Sequence, residues 1–336
     1  MLKINEDDYA YASARIRAKE PRLLRSGQFD RMLDAGDADE AFRVLTESGY
    51  GSGDGGKMSA SGFEKVLADE MKKCYLLLEE IAPQIEVVRA FQRRHDYFNI
   101  KVLLKAEFLK KEAPPILSDT GTFGKKAVAR MIRERDYGEM TPMMKQAVEE
   151  VYDVFPRKRD PQEIDLILDR ASYSQFSADL KETDNPFLQS LAEMITDVTN
   201  IKIFVRARTL DKSWDFIRKL LLRDGTIDGK IYAENSDKPV EAFISGIHGS
   251  ACGEAAEKGW KLYVAKGNIS GLEKTLDDYL MQFVRKAKLV TMGVEPLAAW
   301  LFAKEAEIRN VRIVMTGRIN RLPVERIRER LRLGYV

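Results

Sequence analysis

Three short segments of this chain carry the same ordered set of residue types, and that repetition constrains the fold more than any other feature. They read DYFNIKVLLKA (96–106), DVTNIKIFVRA (197–207) and EIRNVRIVMTG (307–317). Each gives an acid, an asparagine one helical turn later, a β-branched residue and a base. The positions are Asp96, Asn99 and Lys101; Asp197, Asn200 and Lys202; and Glu307, Asn310 and Arg312. Upstream of each lies a helix-start pattern in which a short side-chain acceptor precedes an acid: Ser61 with Glu64, Asp160 with Glu163 behind Pro161, and Ser270 with Glu273. A weaker glycine echo, LRSGQF at Gly27, DTGTF at Gly121 and RDGTI at Gly225, keeps the same order. A period of about 100 residues is long enough for each unit to bury its own apolar stripe, unlike the shorter solenoid repeats that depend on neighbours. The spacing predicts three helical units, at 1–113, 114–217 and 218–336.

Helical periodicity runs through all three, so the predicted fold class is all-α. Between Gln84 and Leu109 the residues Ile85, Val88, Phe91, His95, Phe98, Val102 and Leu109 form one stripe, and Leu301, Ile308, Val311 and Met315 repeat it near the C-terminus. On this stripe Asn99 falls at the edge and Asp96 further round, which reads as polar groups that set helix–helix register rather than as a catalytic cluster. KIYAENS and AFISGI, within 222–250, are short enough and mixed enough to form strands. The opening ARIRAKEPRLL (14–24) resembles the closing ERIRERLRLGYV (325–336), so the two ends are expected to meet, with the units about a pseudo-threefold axis.

Composition excludes more than it selects. Lysine and arginine number 55 against 53 acids, leaving +2, so nucleic acid has no general electrostatic pull on the chain. The N-terminal segment places acids where a secretion signal needs an apolar run, and the greasiest stretch, Leu289–Ala303, is broken by Glu295 and Pro296. Two cysteines and two histidines give no disulfide framework, zinc quartet or histidine-based acid–base system. No cofactor is expected, and a monomer outside any larger complex is.

Single motifs carry less than the repeat does. Gly51–Lys57 (GSGDGGK) matches phosphate-loop spacing, but a helical pattern precedes it and Met58 stands where magnesium binding needs Ser or Thr. His248 and Cys252 are spaced as two ligands of one helix face, amid three glycines. The arginine-rich tail contains Arg318, Arg321, Arg326 and Arg328 interleaved with acids, which fits a protein-facing surface better than RNA. An acidic stretch at Asp30–Glu40, with Asp30, Asp34, Asp37 and Asp39, offers the opposite sign. Acidic and basic faces on a modular helical chain read as a connector.

Beyond these, YAYASARIRAKEPRLL, VLTESGYG, RRHDYFNIKVLLKAEF, ITDVTNIKIFVRAR and GVEPLAAWLFAKEAEIRNVRIVMTGRI are similar to segments of the C-subunit family of archaeal and bacterial A/V-type ATPases (ATP synthases), the relatives of the d-type subunits of eukaryotic V-ATPases. The resemblance implies a funnel-shaped, three-domain, all-helical protein with a central socket. It further implies a non-catalytic rotor component on the cytoplasmic face of the membrane, seated between the proteolipid ring and the D- and F-type subunits of the central shaft. Such a component couples ATP hydrolysis or synthesis to H+ or Na+ transport. The alternative is a helical adaptor, or a nucleotide-binding protein using Gly51–Lys57.

Overall fold

The computed structural model of the chain describes residues 3–51 and 59–336. Helices α1 (Ala10–Lys19), α2 (Ser26–Asp34), α3 (Ala38–Glu47) and α4 (Phe63–Ile81) come first. They are followed by α5 (Ile85–Phe108), α6 (Lys125–Glu134), α7 (Pro142–Lys158), α8 (Pro161–Lys181) and α9 (Pro186–Thr209). Next come α10 (Trp214–Leu220), α11 (Gly229–Glu234), α12 (Val240–Gly246) and α13 (Gly253–Lys266). The chain closes with α14 (Ser270–Val284), α15 (Glu295–Ile319) and α16 (Val324–Arg328). The fold is all-α, with no strand among the described residues. KIYAENS and AFISGI, which the sequence offers as strands, are the helices α11 and α12. Asp228 caps the first by accepting the Lys230 N–H at 2.8 Å, and Pro239 leads into the second.

Two compact units are present, one of residues 84–238 and one of residues 4–83 with 239–336. In the first, α5 lies along α8 and beside α6, and α7 packs on α8. Ile100, Leu104, Val128, Met131, Met144, Val148, Ile164 and Leu168 form its core. In the second, α15 is the axis, with α1, α2, α3, α4 and α14 against it. Leu301, Ile308, Val311 and Met315 are buried there, on the face their spacing predicts. Residues from both ends of the chain meet in this unit: the Tyr335 hydroxyl donates to Glu20 at 3.1 Å, and Arg328 pairs with Asp30.

The long helices α5, α9 and α15 end in one way. Lys110, Asp211 and Arg321 follow them in the left-handed region, at φ 50°, 51° and 53°. The next N–H in each case returns to a carbonyl five residues back, Lys111 to Ala106 (2.9 Å), Lys212 to Ala207 (3.0 Å) and Leu322 to Gly317 (2.9 Å). This closing turn satisfies orphan carbonyls at a helix end. Helix starts agree less well with the sequence. Asp160 does cap α8, accepting the Gln162 N–H at 2.9 Å, but Ser61 lies in a 3-10 turn before α4 and bonds Ser59. Ser270 is itself the first residue of α14 and caps nothing.

Candidate functional site

The acid–asparagine pairs of the three repeats are buried, and each grips backbone from a neighbouring segment. On α5, Asp96 and Asn99 are both 0% exposed, whereas Phe98 is 36% and Leu109 44% exposed. The expected stripe is therefore rotated. The helix buries Asp96, Asn99, Ile100 and Leu104 together, because the two polar groups have partners that cancel the cost of leaving water. Asp96 accepts the Thr122 N–H (2.9 Å), the Thr122 hydroxyl (2.6 Å) and the Phe123 N–H (3.2 Å). Asn99 binds Ser118 twice, its amide donating to the carbonyl and its oxygen accepting the N–H, each at 2.8 Å.

The second pair reproduces this arrangement. Asp197 accepts from the Thr226 N–H (2.9 Å), the Thr226 hydroxyl (2.5 Å) and the Ile227 N–H (3.2 Å). Asn200 binds the Leu222 carbonyl and N–H at 3.0 and 2.8 Å. Both loops pass the carboxylate at the glycine of the sequence echo. A Cβ on Gly121 would lie 2.1 Å from Asp96 Oδ1, and one on Gly225 2.3 Å from Asp197 Oδ1, so neither place admits a side chain.

The third pair splits its grip between the two ends of the chain. Asn310 binds the Arg332 carbonyl and N–H, both at 2.9 Å. Glu307 accepts the Leu24 N–H from the N-terminal segment and the Tyr50 hydroxyl. It also pairs with Lys304 at 2.7 Å, and Lys304 reaches Glu70 on α4 at 3.2 Å and lies over the Tyr50 ring. Burial acts to lower the Lys304 pKa, but Glu307 and Glu70 outweigh it and hold the ammonium above its ordinary value. Burial, reinforced by Glu307, pushes the Tyr50 phenol up. Here Gly27 has open space where a Cβ would go, and Glu307 grips the backbone three residues earlier, at Leu24. Sequence reading missed Lys304 and Glu70, although Lys304 stands three residues before Glu307 on the same face of α15.

The bases of the pattern lie outside the clasps. Lys101 pairs with Asp169 (2.6 Å) and Asp165 (3.8 Å), Arg312 takes both oxygens of Glu64 (2.8 and 3.0 Å), and Lys202 is half-buried. Of the residues singled out as opposite-sign faces, several are brought together. Arg328 meets Asp30 and, at 4.0 Å, Asp34, and Arg318 donates to the Ala35 carbonyl. Asp37 caps α3 through the Glu40 N–H and Asp39 accepts the Ala60 N–H, each at 2.8 Å. Arg321 and Arg326 are exposed.

Burial raises the Asp96 carboxyl to about 6, against the opposing pull of the Thr122 and Phe123 donors. A folded-state value above the unfolded one means stability that is complete below about pH 4 and is lost as pH rises through 6, amounting to about 3 kcal/mol. Urea unfolding at pH 4 to 7 is expected to show Asp96→Asn gaining on the natural chain by about that amount across the interval. Parallel pH curves for the two chains would contradict the assignment.

His248, which spacing pairs with Cys252 as a metal ligand, is exposed and meets Glu257 at 3.2 Å, while Cys252 is buried at the start of α13. Among the described residues no His, Cys, Asp and Glu group is arranged to hold a metal. The Gly51–Lys57 run lies, beyond Gly51, outside the described residues.

The family model described as ATP synthase (C/AC39) subunit matches residues 12–330, a span that includes all three acid–asparagine pairs. The chain belongs to this family. Among its relatives, the C subunit of the V-type sodium ATPase of Enterococcus hirae is 24% identical over 330 residues, covering 98% of this chain and 99% of the relative. The C subunit of the A-type ATP synthase of Methanocaldococcus jannaschii is 25% identical, covering 96% and 86%, and that of Methanothermobacter thermautotrophicus is 23% identical, covering 91% and 83%. As a member of the C/AC39 family the chain is a component of the A/V-type ATPase machinery. None of its described helices is long and apolar enough to cross a membrane.

Proposed function

We propose that the chain is the non-catalytic rotor element that joins the central shaft to the membrane proteolipid ring, passing torque between ATP chemistry in the head and H+ or Na+ movement in the membrane sector. The D- and F-type shaft subunits and the proteolipid ring are its partners, on the cytoplasmic face of the membrane. The observation that carries this reading is the family match across nearly the whole chain, with end-to-end coverage of the Enterococcus hirae relative.

The clasps support a torque-bearing role. Three helical modules, at 1–113, 114–217 and 218–336, set about a pseudo-threefold axis as a funnel with a central socket, need joints that do not slide. A carboxylate with three donors and an asparagine bound on both edges fix a joint in register, where apolar contact alone permits slippage. The same logic makes the Glu307–Leu24 contact the joint that returns the last module to the first.

Membrane vesicles from a strain lacking this chain provide the test. ATP-driven ion uptake is expected to vanish while ATP hydrolysis by the released head continues. Full ion uptake without the chain would refute the reading.

A further inference from the structure

Leu289 is 88% exposed, and no other large apolar side chain among the described residues exceeds 64%. It closes a 3-10 turn, Arg285–Leu289, on the way from α14 into α15. The turn is pinned from several sides, which holds its leucine away from the core. Arg17 of α1 donates to the carbonyls of Ala287 (2.7 Å) and Val290 (2.6 Å), and Arg285 donates to the Gly334 carbonyl at 3.0 Å. Ala287, on the inner face, is 0% exposed. Beyond the turn, the Ser13 hydroxyl accepts the Gly293 N–H at 3.3 Å and donates to the Gly293 carbonyl at 3.1 Å. Gly293 stands at φ 147°, where a Cβ would lie 2.2 Å from the Glu295 carboxylate. Met292, between these anchors, is a second exposed apolar side chain.

Lys286 and Lys288 flank the leucine, and both are exposed. At three residues per turn Lys286 shares a face with Leu289, about 6 Å along the axis. Among the described residues neither lysine has a carboxylate within ion-pair distance. Each lies over a ring instead, Lys286 over Phe283 (5.4 Å) and Lys288 over Tyr335 (4.7 Å). The one acid that acts on Lys288 is Glu20, and Glu20 is already bound to Arg17 at 2.6 Å. Burial and then the Arg285 charge hold the Lys288 ammonium below its ordinary value, so cations outnumber acids around the turn.

We propose that this turn is a lipid contact, in which Leu289 enters the headgroup layer of an anionic bilayer and Lys286 and Lys288 meet the phosphates around it. One branched side chain on a pinned turn gives a protein partner little area to cover, whereas a bilayer needs only depth. Lysine stems lie along the apolar layer while their ammonium groups stay with the anionic headgroups. The inference stands apart from the rotor reading, because its partner is lipid and no other subunit enters.

The full chain carrying Leu289→Trp is titrated with vesicles of phosphatidylcholine alone or mixed with phosphatidylglycerol, the natural chain serving as the blank for its own tryptophans. With the anionic vesicles the emission is expected to shift to the blue and to be quenched by bromine on the upper acyl carbons. In co-sedimentation with the same vesicles, Leu289→Ser should weaken binding of the chain at least about tenfold, and so should Lys286→Glu/Lys288→Glu. All three side chains are exposed, so these variants leave the packing of the fold in place. Added salt should release the chain. Absence of binding to anionic vesicles would leave the turn to a protein partner and overturn the proposal. Equal binding to neutral vesicles, or unmoved emission from a bound Leu289→Trp chain, would overturn it too.

Discussion

Lys304→Met is expected to lower the stability of the chain by about 3–5 kcal/mol, the typical cost of removing one partner from a buried ion pair. The side chain is 6% exposed, and Glu307 at 5% and Glu70 at 19% depend on it for their positive charge. Without it two carboxylates face each other in a site that water reaches poorly, beside a Tyr50 hydroxyl already committed to Glu307. Methionine fills most of the volume, so the loss is electrostatic rather than a cavity. The double variant Lys304→Met/Glu307→Gln should recover part of the loss, because the stranded charge goes with its partner. Urea unfolding of the two variants and the natural chain measures both quantities. A single-variant cost below about 1 kcal/mol would mean that the network is solvated and that the joint rests on packing alone.

Gly121→Ala and Gly225→Ala should each cost about 2–4 kcal/mol, while Gly27→Ala should be neutral or slightly stabilising. At the first two positions the added carbon would press into the Asp96 or Asp197 carboxylate, which cannot withdraw without releasing three donors. At Gly27 nothing stands within 4 Å and the residue lies inside α2, where alanine is the better helix former. Thermal melting of the three variants tests the contrast. Equal losses at all three would show that the glycine echo reflects backbone flexibility and not the close approach of a carboxylate.

The all-helical character and the repeated acid–asparagine pattern are legible in the sequence because both are local. A helical period shows in the spacing of apolar residues, and three copies of DxxN or its glutamate variant show by simple comparison. What the pattern does is not legible there. Phe98 and Leu109 satisfy the apolar period on α5, so a stripe drawn through them places Asp96 away from the core. The actual buried face runs through Asp96 and Asn99, and only the Ser118–Phe123 loop, distant in sequence, explains how two polar groups come to be there. The closing turns escape notice for a different reason. Lys110, Asp211 and Arg321 adopt a backbone region that usually marks itself with glycine, and none of the three does. Lys304 and Glu70 lie on separate helices far apart in the chain, a pairing that no local spacing announces. Whether 222–250 holds short strands is left open by the sequence, because short segments with one buried aromatic, such as Tyr232 in α11, satisfy either period.

The joint between shaft and ring is the claim on which the functional account turns. Affinity purification of the tagged chain from detergent-solubilised membranes addresses it directly, with the co-purifying proteins identified and counted by mass spectrometry. The account predicts that the proteolipid ring and the shaft subunits are both recovered in fixed ratio with the chain. Recovery of the chain with the head and shaft but never with the ring, from membranes in which the intact complex is demonstrably present, would contradict it.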